Sequence, residues 1–216
     1  MTPAPAFLFD LDGTLAATLD DIAASTNHVR ARHGLDAADL ATVRTFVGDG
    51  ARVLLRRALA AVMPEPTEAF LDAAFAQYAE HHREQCTVSV RLYPGAREHL
   101  DRLHAAGHPL AVVTNKPERF ATPIIEHLDL AAMMGAVVGG DTLPQRKPDP
   151  APLRLALERL GASPQGAVMV GDGIQDVRAG KALGLRTIAC LYGFHDEATL
   201  RAEHADVYWR AFGVEA

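Results

Sequence analysis

Five short apolar runs set the architecture of this chain. They are Ala6–Phe9, Leu110–Val113, Ala136–Val138, Ala167–Val170 and Thr187–Cys190. Continuous rather than alternating hydrophobicity over so few residues is the pattern of a strand buried on both faces. Helices are expected near Ala96–Ala106, Arg119–Leu128, Pro152–Leu160 and Ile174–Leu183, so strands and helices alternate. That order predicts an α/β fold built on a doubly wound parallel sheet, a Rossmann-like core. Ligands of such sheets bind beyond the carboxyl ends of the strands, and chemistry is to be sought in the polar residues there.

Between the first run and the second the pattern turns helical. Thr18 with Asp21 three residues on has the form of a helix start, and Gly34 of its end. After the break Phe46–Gly50 a helix is expected over Ala51–Val62, stopped by Pro64 and Pro66. A third is expected over Thr67–Gln85, where Phe70, Leu71, Ala74, Phe75 and Tyr78 form one apolar stripe that reads as packing. The segment Leu92–Gly95 reads as the return linker. The expected organisation is a core of residues 1–15 and 93–216 with an all-helical insertion at 16–92.

Composition narrows the function classes. Hydrophobic residues make up 49% and charged residues 22% of 216, ordinary for a globular protein. A net charge of -6 argues against nucleic-acid binding, which needs a basic surface. It leaves room for a small anionic substrate, because a metal and a lysine can reverse the sign inside a cleft. No apolar run approaches the roughly 20 residues that span a bilayer, and no basic region precedes the first one. A cytoplasmic protein without membrane attachment is therefore expected. Cys86 and Cys190 show no metal-binding spacing and are expected to be reduced. The ten histidines likewise lack ligand spacing, and Ser25, Ser89 and Ser163 sit in poor contexts for a nucleophile.

The strand ends carry the chemistry. Phe9-Asp10-Leu11-Asp12-Gly13-Thr14 places two carboxylates, one residue apart, after a buried strand. In an extended chain they would point the same way and repel. A hard divalent cation such as Mg²⁺, which favours carboxylate and phosphate oxygens, would remove the conflict, and Gly13 lets the backbone approach an anion. Two solvated aspartates in a turn are the ordinary alternative. After the second strand, Thr114 and Asn115 can donate hydrogen bonds to a phosphate without adding charge, and Lys116 is expected at the surface or cleft rim. Three prolines in Leu143–Pro150 present Lys147 just before a helix, with Arg146 as a solvated neighbour. Gly171-Asp172-Gly173 ends another strand in an acid, and Asp176 follows one helical turn along. Two acids at a helix start also complement its dipole. With Asp10 and Asp12 at the same edge, metal binding is the stronger reading.

These four pieces, in this order, resemble the motifs of the haloacid dehalogenase-like hydrolase superfamily. The resemblance covers essentially the full chain. It implies that Asp10 is a nucleophile forming an aspartyl-phosphate, and that Asp12 is the acid and then the base. Thr114 and Lys147 would hold the phosphate, and Asp172 and Asp176 would complete a Mg²⁺ site with Asp10 and the backbone carbonyl of Asp12. Asp12 favours phosphate chemistry over dehalogenation. The helical insertion is similar to the small cap of this superfamily, with Arg44 or Arg52 as candidates to recognise a substrate carboxylate. Two departures stand out. Gly173 replaces a common Ser or Thr, and Ala16-Ala17 replaces a pair usually containing Asp. Segments Thr45–Gly50, Tyr93–Gly95, Gly140–Pro150 and Leu191–Phe194 are similar to the phosphoglycolate phosphatase branch. That branch implies a small phosphorylated metabolite, 2-phosphoglycolate, as substrate. Sugar phosphates such as N-acetylmuramic acid 6-phosphate, a β-phosphoglucomutase-like transfer and a non-catalytic phosphometabolite sensor are the alternatives.

Overall fold

The computed structural model describes residues 4–216. Internal contacts divide the chain into two units, residues up to Ala17 with Arg91–Ala216, and Thr18–Val90. In chain order the elements are β1 (Phe7–Phe9), β2 (Ala16–Ala17), α1 (Leu19–Arg32), α2 (Leu40–Arg44), α3 (Ala51–Ala58), α4 (Glu68–Gln85) and β3 (Arg91–Leu92). They continue as α5 (Ala96–Ala105), β4 (Leu110–Val113), α6 (Glu118–His127), β5 (Met134–Val138), α7 (Ala151–Leu160) and β6 (Val168–Gly171). The last are α8 (Ile174–Ala182), β7 (Arg186–Cys190), α9 (Glu197–Ala202), β8 (Val207–Ala211) and β9 (Val214–Glu215).

The first unit is an α/β sheet of seven strands in the order β5-β4-β1-β6-β7-β8-β9. All neighbours are parallel except β8 and β9. β1 lies between β4 and β6, with Leu8 opposite Ala111 on one side and Met169 on the other. A strand so enclosed must be apolar on both faces. Leu8 turns into a core of Ala111, Val113, Met169 and residues of α7 and α8, including Leu153, Leu157 and Ala179. Phe7 and Phe9, one position either side, face the other way, where Phe7 meets His108 and Phe9 stacks on Phe212. With hydrophobic strands fixing the register, β1, β4 and β6 deliver their polar residues to one edge.

The chain does not stay extended through Asp12, as the alternation argument expected. Leu11 is buried, and its carbonyl accepts from the N–H groups of Thr14, Leu15 and Ala16, closing a turn directly after Asp10. The two aspartates are therefore placed by a turn, not by strand periodicity. β2 and β3 form a small antiparallel pair that the sequence pattern does not announce.

The second unit is helical. Thr67 caps α4 through its side chain, accepting from Phe70 N–H at 3.2 Å, and Leu71, Ala74 and Tyr78 form its buried face. Thr18, in contrast, makes no side-chain cap, and Asp21 accepts from Ser89 N–H and Gln85 instead of closing a capping box. α3 ends at Ala58, before the prolines, because the chain turns at Leu59. α2 lies between Gly34 and the break at Phe46–Gly50, where the sequence pattern predicts no element. Among the described residues no helix is long and apolar enough to cross a membrane.

Candidate active site

Asp10 follows β1, Thr114 follows β4, and Asp172 follows β6, so three adjacent strands bring them to one edge. Lys147, from the proline-rich loop before α7, reaches into the same place and is 4% exposed. Its Nζ lies 3.0 Å from Asp10 Oδ1, and donates to Asp176 Oδ1 at 2.6 Å and to the Val113 carbonyl at 2.6 Å. The Asp10 contact is a buried ion pair.

Asp10, Asp172 and Asp176 each bring a carboxylate oxygen within 4.8 Å of the others. Burial pushes the Asp10 carboxyl up to about 6, against Lys147 and with repulsion from Asp176 and Asp12. Burial also raises Asp172 well above the usual range, aided by Asp10 and Asp176 and opposed by its own hydrogen bonds. Lys147 is pulled down by burial, but Asp10 and Asp176 outweigh this and keep it charged. The cluster thus carries more negative charge than one ammonium balances. A hard divalent cation with oxygen ligands fits it.

The surrounding backbone is shaped to these acids. Asp172 accepts from Thr14 Oγ1 at 2.7 Å and from Phe194 N–H at 2.7 Å. A Cβ on Gly13 would lie 2.3 Å from Asp172 Oδ2, and φ there is +82°. The Gly13 N–H donates to the Ala16 carbonyl at 3.0 Å, so it is engaged in the turn and does not point at a ligand. Asp176 Oδ2 accepts from Gly173 N–H at 2.9 Å, which fixes the start of α8. Asn115 donates to the Lys147 carbonyl at 2.9 Å and braces the lysine loop.

Lys116 is not at the rim. It is 7% exposed, and its Nζ donates to Asp12 Oδ1 at 3.1 Å and Oδ2 at 3.3 Å. Sequence reasoning expected Lys116 at the surface or cleft rim and gave Thr14 no role of its own. Thr14 stands inside the first motif, and nothing local shows that its partner is Asp172. The Asp12 carboxylate lies outside the group of three acids. In the helical unit, Arg44 ends α2 and is exposed. The guanidinium of Arg52 donates to Glu68 at 2.6 Å and also to Asp72, so its charge is met within its own unit.

A doubly wound α/β enzyme is the class this fold and site define. The chain belongs to the haloacid dehalogenase-like hydrolase family, whose model matches residues 7–190. It is 38% identical over 198 residues to phosphoglycolate phosphatase of Pseudomonas putida, covering 91% of this chain and 72% of that protein. Over 199 residues it is 38% identical to phosphoglycolate phosphatase of Chromobacterium violaceum, covering 92% and 90%. The crystal structure of a predicted phosphoglycolate phosphatase from Haemophilus somnus superposes with a TM-score of 0.89 at 32% identity, covering 98% of this chain and 96% of that one.

Proposed function

We propose that this hydrolase is a phosphatase that cleaves phosphomonoesters through an aspartyl-phosphate on Asp10, with 2-phosphoglycolate as its substrate. One observation carries the chemistry: Asp10, at the end of β1 and clustered with Asp172 and Asp176, lies 3.0 Å from the buried Lys147 ammonium. Such a carboxylate is held in place yet keeps a lone pair for attack. The substrate rests on the relatives that bear the name phosphoglycolate phosphatase.

In the first step an Asp10 oxygen attacks phosphorus in line, and the ester oxygen leaves with a proton from Asp12. In the second, Asp12 takes a proton from water, which attacks phosphorus and releases phosphate and free Asp10. Lys147 balances the charge of the phosphoryl oxygens. The Thr114 hydroxyl oxygen accepts from Lys116 N–H at 3.2 Å, so its own proton is directed elsewhere and can meet a phosphate oxygen. Asp10 and Asp172, with the backbone carbonyl of Asp12, would hold Mg²⁺. Asp176 orients Lys147. The metal supplies positive charge that offsets repulsion between the acids and the phosphate.

The test is phosphate release from 2-phosphoglycolate and a panel of sugar phosphates, with and without Mg²⁺. Preference for 2-phosphoglycolate is expected, with a fall of about 10³-fold or more in Asp10→Asn and loss on chelation. Turnover chiefly of a sugar phosphate would overturn the substrate. Full activity in Asp10→Asn would overturn the mechanism.

A further inference from the structure

We propose that Lys116 binds the carboxylate on the leaving group and so selects phosphate esters of 2-hydroxy acids. The proposal rests on the phosphatase reading above, with Asp12 beside the leaving oxygen. It starts from a lysine that the phosphoryl chemistry does not require.

Lys116 is rigidly placed. Its N–H donates to Thr114 Oγ1 at 3.2 Å, and its carbonyl accepts from Gly140 N–H at 2.8 Å. The side chain is 4% exposed, and Nζ straddles both oxygens of Asp12. Burying an ammonium is costly unless its partners repay the lost hydration. A structural counter-ion for Asp12 would not need such burial, since Asp12 keeps some exposure and could be hydrated.

The two buried lysines divide the site. Lys147 stands among Asp10 and Asp176, on the side of the transferred phosphoryl group. Lys116 stands against Asp12, on the side of the leaving oxygen. In the phosphate ester of a 2-hydroxy acid, the carbon bonded to that oxygen also bears the carboxylate. A carboxylate so attached falls beside any group that touches Asp12. An ammonium has three donors, and two contacts to Asp12 leave one for a substrate oxygen. A neutral carbon chain at that place would desolvate the lysine and give it nothing in return. In the helical unit, Arg52 is already bound by Glu68 and Asp72.

The experiment compares 2-phosphoglycolate with 2-hydroxyethyl phosphate, which has the same length but a neutral hydroxymethyl in place of the carboxylate. The wild type is expected to favour 2-phosphoglycolate by about tenfold or more in kcat/KM. In Lys116→Met this ratio should fall by about tenfold or more, mainly through KM for 2-phosphoglycolate, and Lys116→Arg should restore part of it. Equal losses on both esters would overturn the proposal, because Lys116 would then serve Asp12 alone. A wild type indifferent to the carboxylate would overturn it too. Should Lys116→Met not fold, as circular dichroism would show, inhibition of the wild type decides. Glycolate must then compete with substrate about tenfold or more better than ethylene glycol, and equal competition overturns the proposal. If the wild type releases phosphate from neither ester, the phosphatase reading itself has failed for these substrates, and the proposal falls with it.

Discussion

Asp172 shows most sharply how this protein sets stability against chemistry. It is 2% exposed, faces two other acids and is held by Thr14 and Phe194. Its raised pKa means that the charged form opposes folding. Asp172→Asn keeps the shape, since the Asn oxygen can accept from Phe194 N–H while its amide donates to the Thr14 hydroxyl. The variant is therefore expected to be more stable than the wild type by about 1 kcal/mol or more at neutral pH without metal. That corresponds to roughly 2–4 °C per kcal/mol in Tm for a chain of this size. The sign follows from linkage: the gain is largest where Asp172 is ionised, and disappears below about pH 4, where the carboxyl is protonated in both states. Phosphatase activity and the rise of Tm with Mg²⁺ should both be lost. Thermal melts with and without Mg²⁺ check this, and a variant less stable than the wild type without metal would contradict it.

The loops after β6 and β7 do for Asp172 what no single strand could. Gly193 packs so closely that a Cβ there would lie 2.2 Å from Asp172 Cβ and 2.4 Å from its Cγ. These are stem atoms that cannot swing away. Gly193→Ala should pull Phe194 from Asp172, cost about 1–3 kcal/mol, and lower kcat/KM by about tenfold or more. Urea unfolding and steady-state kinetics would show both, and a wild-type kcat/KM would reject the idea. Nothing near Gly193 in sequence signals this, because the contact joins it to residue 172 through the pairing of β6 with β7. The same reason separates what the sequence reveals from what it hides. The apolar runs at Ala6–Phe9, Leu110–Val113 and Ala167–Val170 declare themselves by composition, and each leads to a polar residue of the site. Lys116 looks like an ordinary solvated turn charge. Only the pairing of β1 with β4 brings it to Asp12. Thr14 and Asp172 are 158 residues apart and meet through the pairing of β1 with β6. Short or late elements escape for another reason: α2 has five residues, too few for a helical period to show.

Both units hold a histidine whose pKa is lowered, so across the whole molecule these rings favour the folded state less as pH falls. In the sheet unit, burial lowers the pKa of His99 and Arg102 lowers it further. His99 packs against Trp209 and Phe212, and its Nδ1 accepts from Arg102 at 3.2 Å, which a protonated nitrogen could not do. In the helical unit, burial lowers the pKa of His81, and His28, whose tilted ring lies 4.3 Å away, adds to it. Ser25 Oγ lies 3.1 Å from His81 Nδ1 and 2.9 Å from His82 Nδ1. One hydroxyl proton can serve one acceptor, so at least one of the two rings donates to Ser25 Oγ. A base with a lowered folded pKa takes up protons on unfolding. Its stabilisation is complete above the unfolded value near 6.5 and drains away as pH falls through the folded value. The histidine share of stability should therefore be level above about pH 7 and decline toward pH 5, against the opposite contribution of Asp10 and Asp172, whose raised pKa values let the folded state gain protons there. His99→Phe keeps the ring between Trp209 and Phe212 but removes the titrating nitrogen. Relative to the wild type, that variant should gain stability in urea unfolding between about pH 7 and pH 5, with a slope difference of a fraction of one proton because the ring is only half-buried. An unchanged slope would mean that His99 gains its proton as easily in the folded protein as in the unfolded chain. The contact with Arg102 would then be too weak to hold the ring neutral.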